Sequence, residues 1–117
     1  MDATTDDMIA QAWPAIASTE RVVLLRILIL GALRPAWPDA WIAHDGAVCP
    51  TSDDDDPDGH CYVEAMTYPE PGARVRHPSL ADGTAWISDP DNPGSIARRV
   101  ADLLAPFAGQ PIPGASE

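Results

Sequence analysis

The sequence predicts an α+β domain: two N-terminal helices, an antiparallel meander of about four to five strands, and a C-terminal helix packed on one face of the sheet. Three observations carry this. The apolar run Val22 to Leu33 has helix punctuation at both ends. Residues 41–88 break into short alternating segments separated by turn residues. Ile96, Val100, Leu103, Leu104 and Phe107 then recur at helical spacing.

The first helix starts at Thr4 or Thr5, whose hydroxyl caps free N–H groups, with Asp6 and Asp7 in the positive first turn. Met8, Ile9, Ala12 and Trp13 share one face, and Pro14 ends or kinks it. Ser18 or Thr19 caps the second helix, which has Glu20 in its first turn, Arg34 near its end and Pro35 beyond. Its interior is apolar nearly all round, so it is either buried on most sides or shared with a second copy. A homodimer through Val22–Leu33 is therefore expected.

The strand region opens with Trp41 to His44, Asp45-Gly46 and Ala47 to Cys49, read as a hairpin on a primed Asp-Gly turn. A polar loop, Pro50 to Gly59, leads to a strand over 60–68, with Cys61, Val63 and Ala65 on one face and Tyr62, Glu64 and Met66 on the other. Pro69 to Gly72 form a turn. Strands over Ala73–His77 and Thr84–Ser88 follow. Pro93 opens the last helix, and Arg98, Arg99 and Asp102 face outward. Residues 1–107 make one domain, and 108–117 a loose tail rich in Gly and Pro.

Charge narrows the partners. The formal charge is −11, from 18 acidic residues against 7 arginines and no lysine. Phosphate binding needs a basic surface, so neither nucleic acid nor an anionic membrane is expected as a direct ligand. A basic protein surface is favoured instead. The acidic N-terminus is the reverse of a secretory signal, and the run 22–33 is too short for a membrane span and contains Arg26. A soluble, cytoplasmic protein with reduced Cys49 and Cys61 is expected. Abundant Ala, Asp, Pro, Gly and Arg, with Asn92 as the one asparagine, fit a bacterial high-GC genome.

The sharpest motif is Asp54-Asp55-Asp56-Pro57-Asp58-Gly59. Carboxylates at alternate positions of a tight loop can converge on one hard cation, with a glycine at the sharp bend. The pattern resembles the first half of an EF-hand loop, and the resemblance implies calcium on Asp54, Asp56, Asp58 and the carbonyl of His60. It breaks down at the twelfth position, Ala65, where that loop has a bidentate glutamate; Glu64 comes one residue early. The alternative is a solvated anionic surface formed by Asp53, Asp54, Asp55, Asp56 and Asp58. For zinc, His44, Cys49, His60, Cys61 and His77 are suitable ligand types, but their spacing forms no ligand pair, and three surface imidazoles beside two partly buried thiols are expected.

No nucleophile elbow, phosphate-cradling loop or dinucleotide fingerprint is present, and the carboxylates crowd into one environment instead of two. The sequence thus predicts a non-enzymatic acidic binding protein without a cofactor: a regulator or inhibitor of immunity or antitoxin type, or a DNA mimic whose carboxylates imitate phosphates. A calcium-binding structural or sensor domain is the alternative.

Overall fold

The computed structural model describes residues 8, 11–52, 59–67 and 70–110. Two helices, α1 (Ser18–Leu33) and α2 (Pro93–Leu104), bracket a sheet of β1 (Trp41–Ile42), β2 (Val48–Cys49), β3 (Tyr62–Met66), β4 (Gly72–Arg76) and β5 (Thr84–Ser88). The strands run antiparallel in the order β1-β2-β3-β4-β5, a simple meander. The α+β expectation therefore holds. Of the first expected helix, Met8, Gln11 and Ala12 are helical, and residues 1–7, 9 and 10, with Thr4, Thr5, Asp6 and Asp7 among them, lie outside the described residues, so α1 is the one N-terminal helix whose bounds can be given. Trp13–Ala15 form a tight 3-10 turn on Pro14.

Both helices cover one face of the sheet. α1 meets β1, β2 and β3, α2 meets β4 and β5, and the helices pack against each other. Inward-pointing Val48, Val63 and Val75 form one register row, with Ala73 and Ile87 beside it, all buried. From α1, Leu25, Leu28, Ile29 and Leu33 descend onto this row, and α2 adds Ile96, Ala97, Val100 and Leu104. Burying such a side chain contributes roughly 1.5–3 kcal/mol each. The strand expected over 60–68 spans Tyr62–Met66, and Tyr68 lies outside the described residues; Cys61 and Val63 are buried and Ala65 packs against the core, while Tyr62, Glu64 and Met66 are half-buried.

Local chemistry sets the ends of the elements. Ala17 is the N-cap of α1, in extended conformation, rather than Ser18 or Thr19, and it contributes no side-chain bond. Arg21 secures that end instead: its Nε and Nη2 donate to the carbonyls of Trp13 (3.1 Å) and Pro14 (2.9 Å), and its guanidinium lies 5.4 Å from the Trp13 ring centre. Trp13 in turn donates its indole N–H to the Pro90 carbonyl at 3.1 Å, tying this turn to the start of α2. The Asn92 side chain caps α2 by accepting from the Ser95 N–H at 3.1 Å. The helix stops at Leu104, three residues before Phe107: Ala105 still has helical angles and donates to the Ala101 carbonyl, but Pro106 has no N–H to continue the ladder, and a 3-10 turn, Ala105–Phe107, completes the segment.

The first hairpin also differs from expectation. Its strands are two residues long, and the loop is a turn with the Gly46 N–H donating to the Ala43 carbonyl (2.9 Å), followed by the Ala43 N–H donating to the Ala47 carbonyl (2.9 Å). Gly46 has φ +94°. This is a three-residue loop with glycine as its left-handed residue, not a two-residue primed turn.

Two substitutions test this packing in urea denaturation. Ile29→Ala, at a fully buried position, is expected to cost about 2–5 kcal/mol. Asn92→Ala is expected to cost about 1 kcal/mol, through loss of the cap alone. A neutral Ile29→Ala would contradict the placement of α1.

Candidate functional site

Register defines two ends of the sheet. Trp41 pairs with Cys49, and Tyr62 pairs with Arg76, which pairs with Thr84. The Val48–Val63 pairing brings Cys49 alongside Tyr62 and completes one row across five strands. Beyond this row lie Asp39, just before β1, and Asp82, just before β5, both exposed. The connection that carries Asp53, Asp54, Asp55, Asp56 and Asp58 leaves the sheet from Cys49 and returns at Tyr62, so both of its anchors belong to this same end. Those five aspartates lie outside the described residues. Of the expected calcium ligands, only His60 is described, as an exposed residue beside Gly59 at φ +66°.

The anchors of this end are well held. Trp41 donates its indole N–H to the Thr51 carbonyl at 2.8 Å, fixing the start of the aspartate-bearing connection to β1. The neighbouring connection, 77–83, is closed by three main-chain bonds: His77 N–H to Gly83 O (3.1 Å), Leu80 N–H to His77 O (3.0 Å) and Gly83 N–H to Leu80 O (2.9 Å). Asp82 adopts φ +58°, a left-handed conformation that aspartate tolerates better than most residues, and so keeps its carboxylate on the outside of the turn.

Among the described residues, no group of three or more His, Cys, Asp or Glu side chains is disposed to hold a metal ion. Cys49 is half-buried and Cys61 buried. His44 and His60 are exposed, but His77 is not the surface residue expected from sequence. It continues the inward parity of Ala73 and Val75, stacks on Phe107 with ring centres 4.4 Å apart, and accepts the Ser79 N–H on Nδ1 at 3.0 Å. It has become part of the packing under the acidic end.

The arginines explain why so much negative charge remains outward. Arg21 and Arg99 donate to main-chain carbonyls, Arg99 to Ser88 at 3.0 Å, and Arg76 reaches the Tyr62 hydroxyl at 3.4 Å. None of these contacts neutralises a carboxylate. These three guanidiniums brace main-chain turns and a strand-to-strand contact.

A second feature was not legible as a site in the sequence. β2 pairs with β3 only at Val48–Val63, so the hairpin turn parts from β3 beyond that point. The gap is a cavity of about 500 Å³ lined by Arg26, Ala43, Asp45, Gly46, Ala47, Cys49, Gly59, Tyr62, Glu64 and Ala65. Arg26 enters from α1. Its Nε is sealed from solvent and has no hydrogen-bond partner among the described residues. Its guanidinium packs so closely on Gly46 that a Cβ there would collide with it. The available signal was a lone arginine inside a helix apolar on all sides, whose head group must emerge through the packing.

The uncovered face of the sheet carries Trp86, which lies across Gly72. A Cβ at Gly72 would meet the indole at 2.6 Å, so this glycine is required by the approach of the ring. No helix among the described residues is long and apolar enough to cross a membrane.

No family model, curated protein or solved structure matches the chain. Its function has to be read from its own residues.

Arg26→Met tests the assignment of Arg26 as a residue kept at a cost to stability. Replacing a poorly partnered buried cation by an apolar side chain of similar length is expected to leave stability unchanged or raise it by about 1 kcal/mol or more in urea denaturation. A loss of several kcal/mol would show instead that the guanidinium holds the hairpin in place.

Proposed function

We propose that this chain is a small, non-enzymatic binding protein that docks on a basic protein surface through the acidic end of its sheet. The observation that carries this is that Asp39, Asp82 and both anchors of the Asp53–Asp58 connection lie at the same end of the sheet, beyond one register row. A net charge of −11 supplies long-range attraction, and the rigid sheet fixes where it acts. The binding loops sit on a scaffold whose core they do not have to build. A partner that itself grips phosphate is the natural target, since a row of carboxylates presents similar charge; an inhibitor or immunity-type role follows from occupying such a surface.

Affinity capture from the native host tests this directly. The wild-type chain is expected to retain a basic protein that elutes as salt rises from about 0.1 to 1 M, because screening shortens to a few ångströms over that range. A chain with Asp39, Asp53, Asp54, Asp55, Asp56, Asp58 and Asp82 changed to Asn is expected to lose the partner. Retention by the neutralised chain would contradict the proposal.

Self-association is a compatible second reading, favoured by Val23 and Ile27, which stand one turn apart on the outer side of α1 and are about half exposed (49% and 54%). Light scattering at rising protein concentration is expected to show a dimer that Ile27→Glu converts to monomer. A single monomeric species at all concentrations would remove this reading.

A further inference from the structure

We propose that the cavity between the first hairpin and β3 binds a free α-amino acid, with Arg26 holding its carboxylate and the acidic rim holding its ammonium. The cavity borders the acidic end, since Cys49, Gly59 and Tyr62 line it, but its chemistry does not depend on the docking role. Arg26 Nε is shut off from solvent and donates to nothing among the described residues. Buried donors are almost always satisfied, and a guanidinium bears five N–H groups in a planar fork. A cavity of about 500 Å³ lies against this same side chain, within the size range of small-molecule pockets.

The fork determines the first half of the ligand. A planar guanidinium matches a carboxylate through two parallel hydrogen bonds, a geometry that a lysine could not supply. Gly46 contributes by lacking a side chain: the guanidinium lies against its backbone, and any Cβ would displace it. One side of the group is thereby taken up by the hairpin backbone, and the cavity lies against the same side chain.

The rim determines the second half. Asp45 and Glu64 line the same cavity. A plain anion would add a third negative charge beside these two, with one guanidinium to offset them. A ligand carrying its own cation removes that conflict, and an α-amino acid places ammonium and carboxylate one carbon apart. Tyr62 and Ala65, also on the wall, leave an apolar surface for a side chain.

The test is an NMR titration of the full-length chain, following the Arg26 Nε–Hε signal and the Ala47 and Glu64 amides. The probes are the twenty standard amino acids singly, with acetate and methylammonium as half-ligands. At least one amino acid is expected to give saturable shifts at millimolar concentration or below, with acetate and methylammonium each at least about tenfold weaker. Arg26→Lys is expected to weaken binding by about tenfold or more, since charge without the fork is insufficient. Glu64→Gln is expected to narrow the preference for amino acid over acetate. Amide spectra of both variants establish that they are folded, and a variant that fails this check is replaced by Arg26→Gln or Glu64→Ala. Three results would overturn the proposal: no saturable shift with any amino acid at about 20 mM, acetate binding as tightly as the best amino acid, or undiminished binding to the folded arginine variant.

Discussion

Everything in this fold depends on the descent of α1 onto the inner row of the sheet. Leu25, Ile29 and Leu33 are fully buried there, against Val48, Val63 and Val75. β1 and β2 are two residues each and could not hold a sheet edge by their own hydrogen bonds. They are held because α1 packs across them and because Trp41 is tied to Thr51. The same helix brings Arg26 to the hairpin turn. One apolar helix thus fixes the position of both features that carry chemistry: the anchored start of the acidic connection and the wall of the cavity.

The molecule divides its charges by role. Arginines are used inward, on the carbonyls of Trp13, Pro14 and Ser88, where they brace turns and helix ends. Asp39 and Asp82 lie exposed on connections beyond the Trp41–Thr84 row. An acidic protein that neutralised itself through surface ion pairs would project little field. Here the described contacts of Arg21, Arg76 and Arg99 leave the negative field intact for a partner to meet. Arg26 is the exception in the other direction: a cation placed where the fold has no evident need of it.

How much of this could be read from the residues alone follows from the range of the interactions. The outer-inner alternation of β3, the Asn92–Pro93 start of α2 and the helical run 18–33 are local patterns, and the structure keeps them. The extent of β1 and β2 was overestimated, because the loop closes around Ala43–Ala47 rather than at Asp45-Gly46. His77 was placed on the surface because its burial depends on Phe107, thirty residues later in the chain. The cavity was not legible for the same reason: its walls come from α1, the first hairpin and β3, and no segment of sequence contains it. The Asp53–Asp58 motif was legible as charge, and register adds where its anchors leave the sheet.

The central claim is that this protein meets its partner with the acidic end of the sheet. The most direct test is amide chemical-shift mapping on the labelled chain, titrated with the basic protein that it captures. The account predicts perturbations concentrated at Asp39, Thr51, His60, Asp82 and Gly83, fading as salt rises. Perturbations centred instead on Val23 and Ile27, or on Trp86 across the open face, and insensitive to salt, would contradict it.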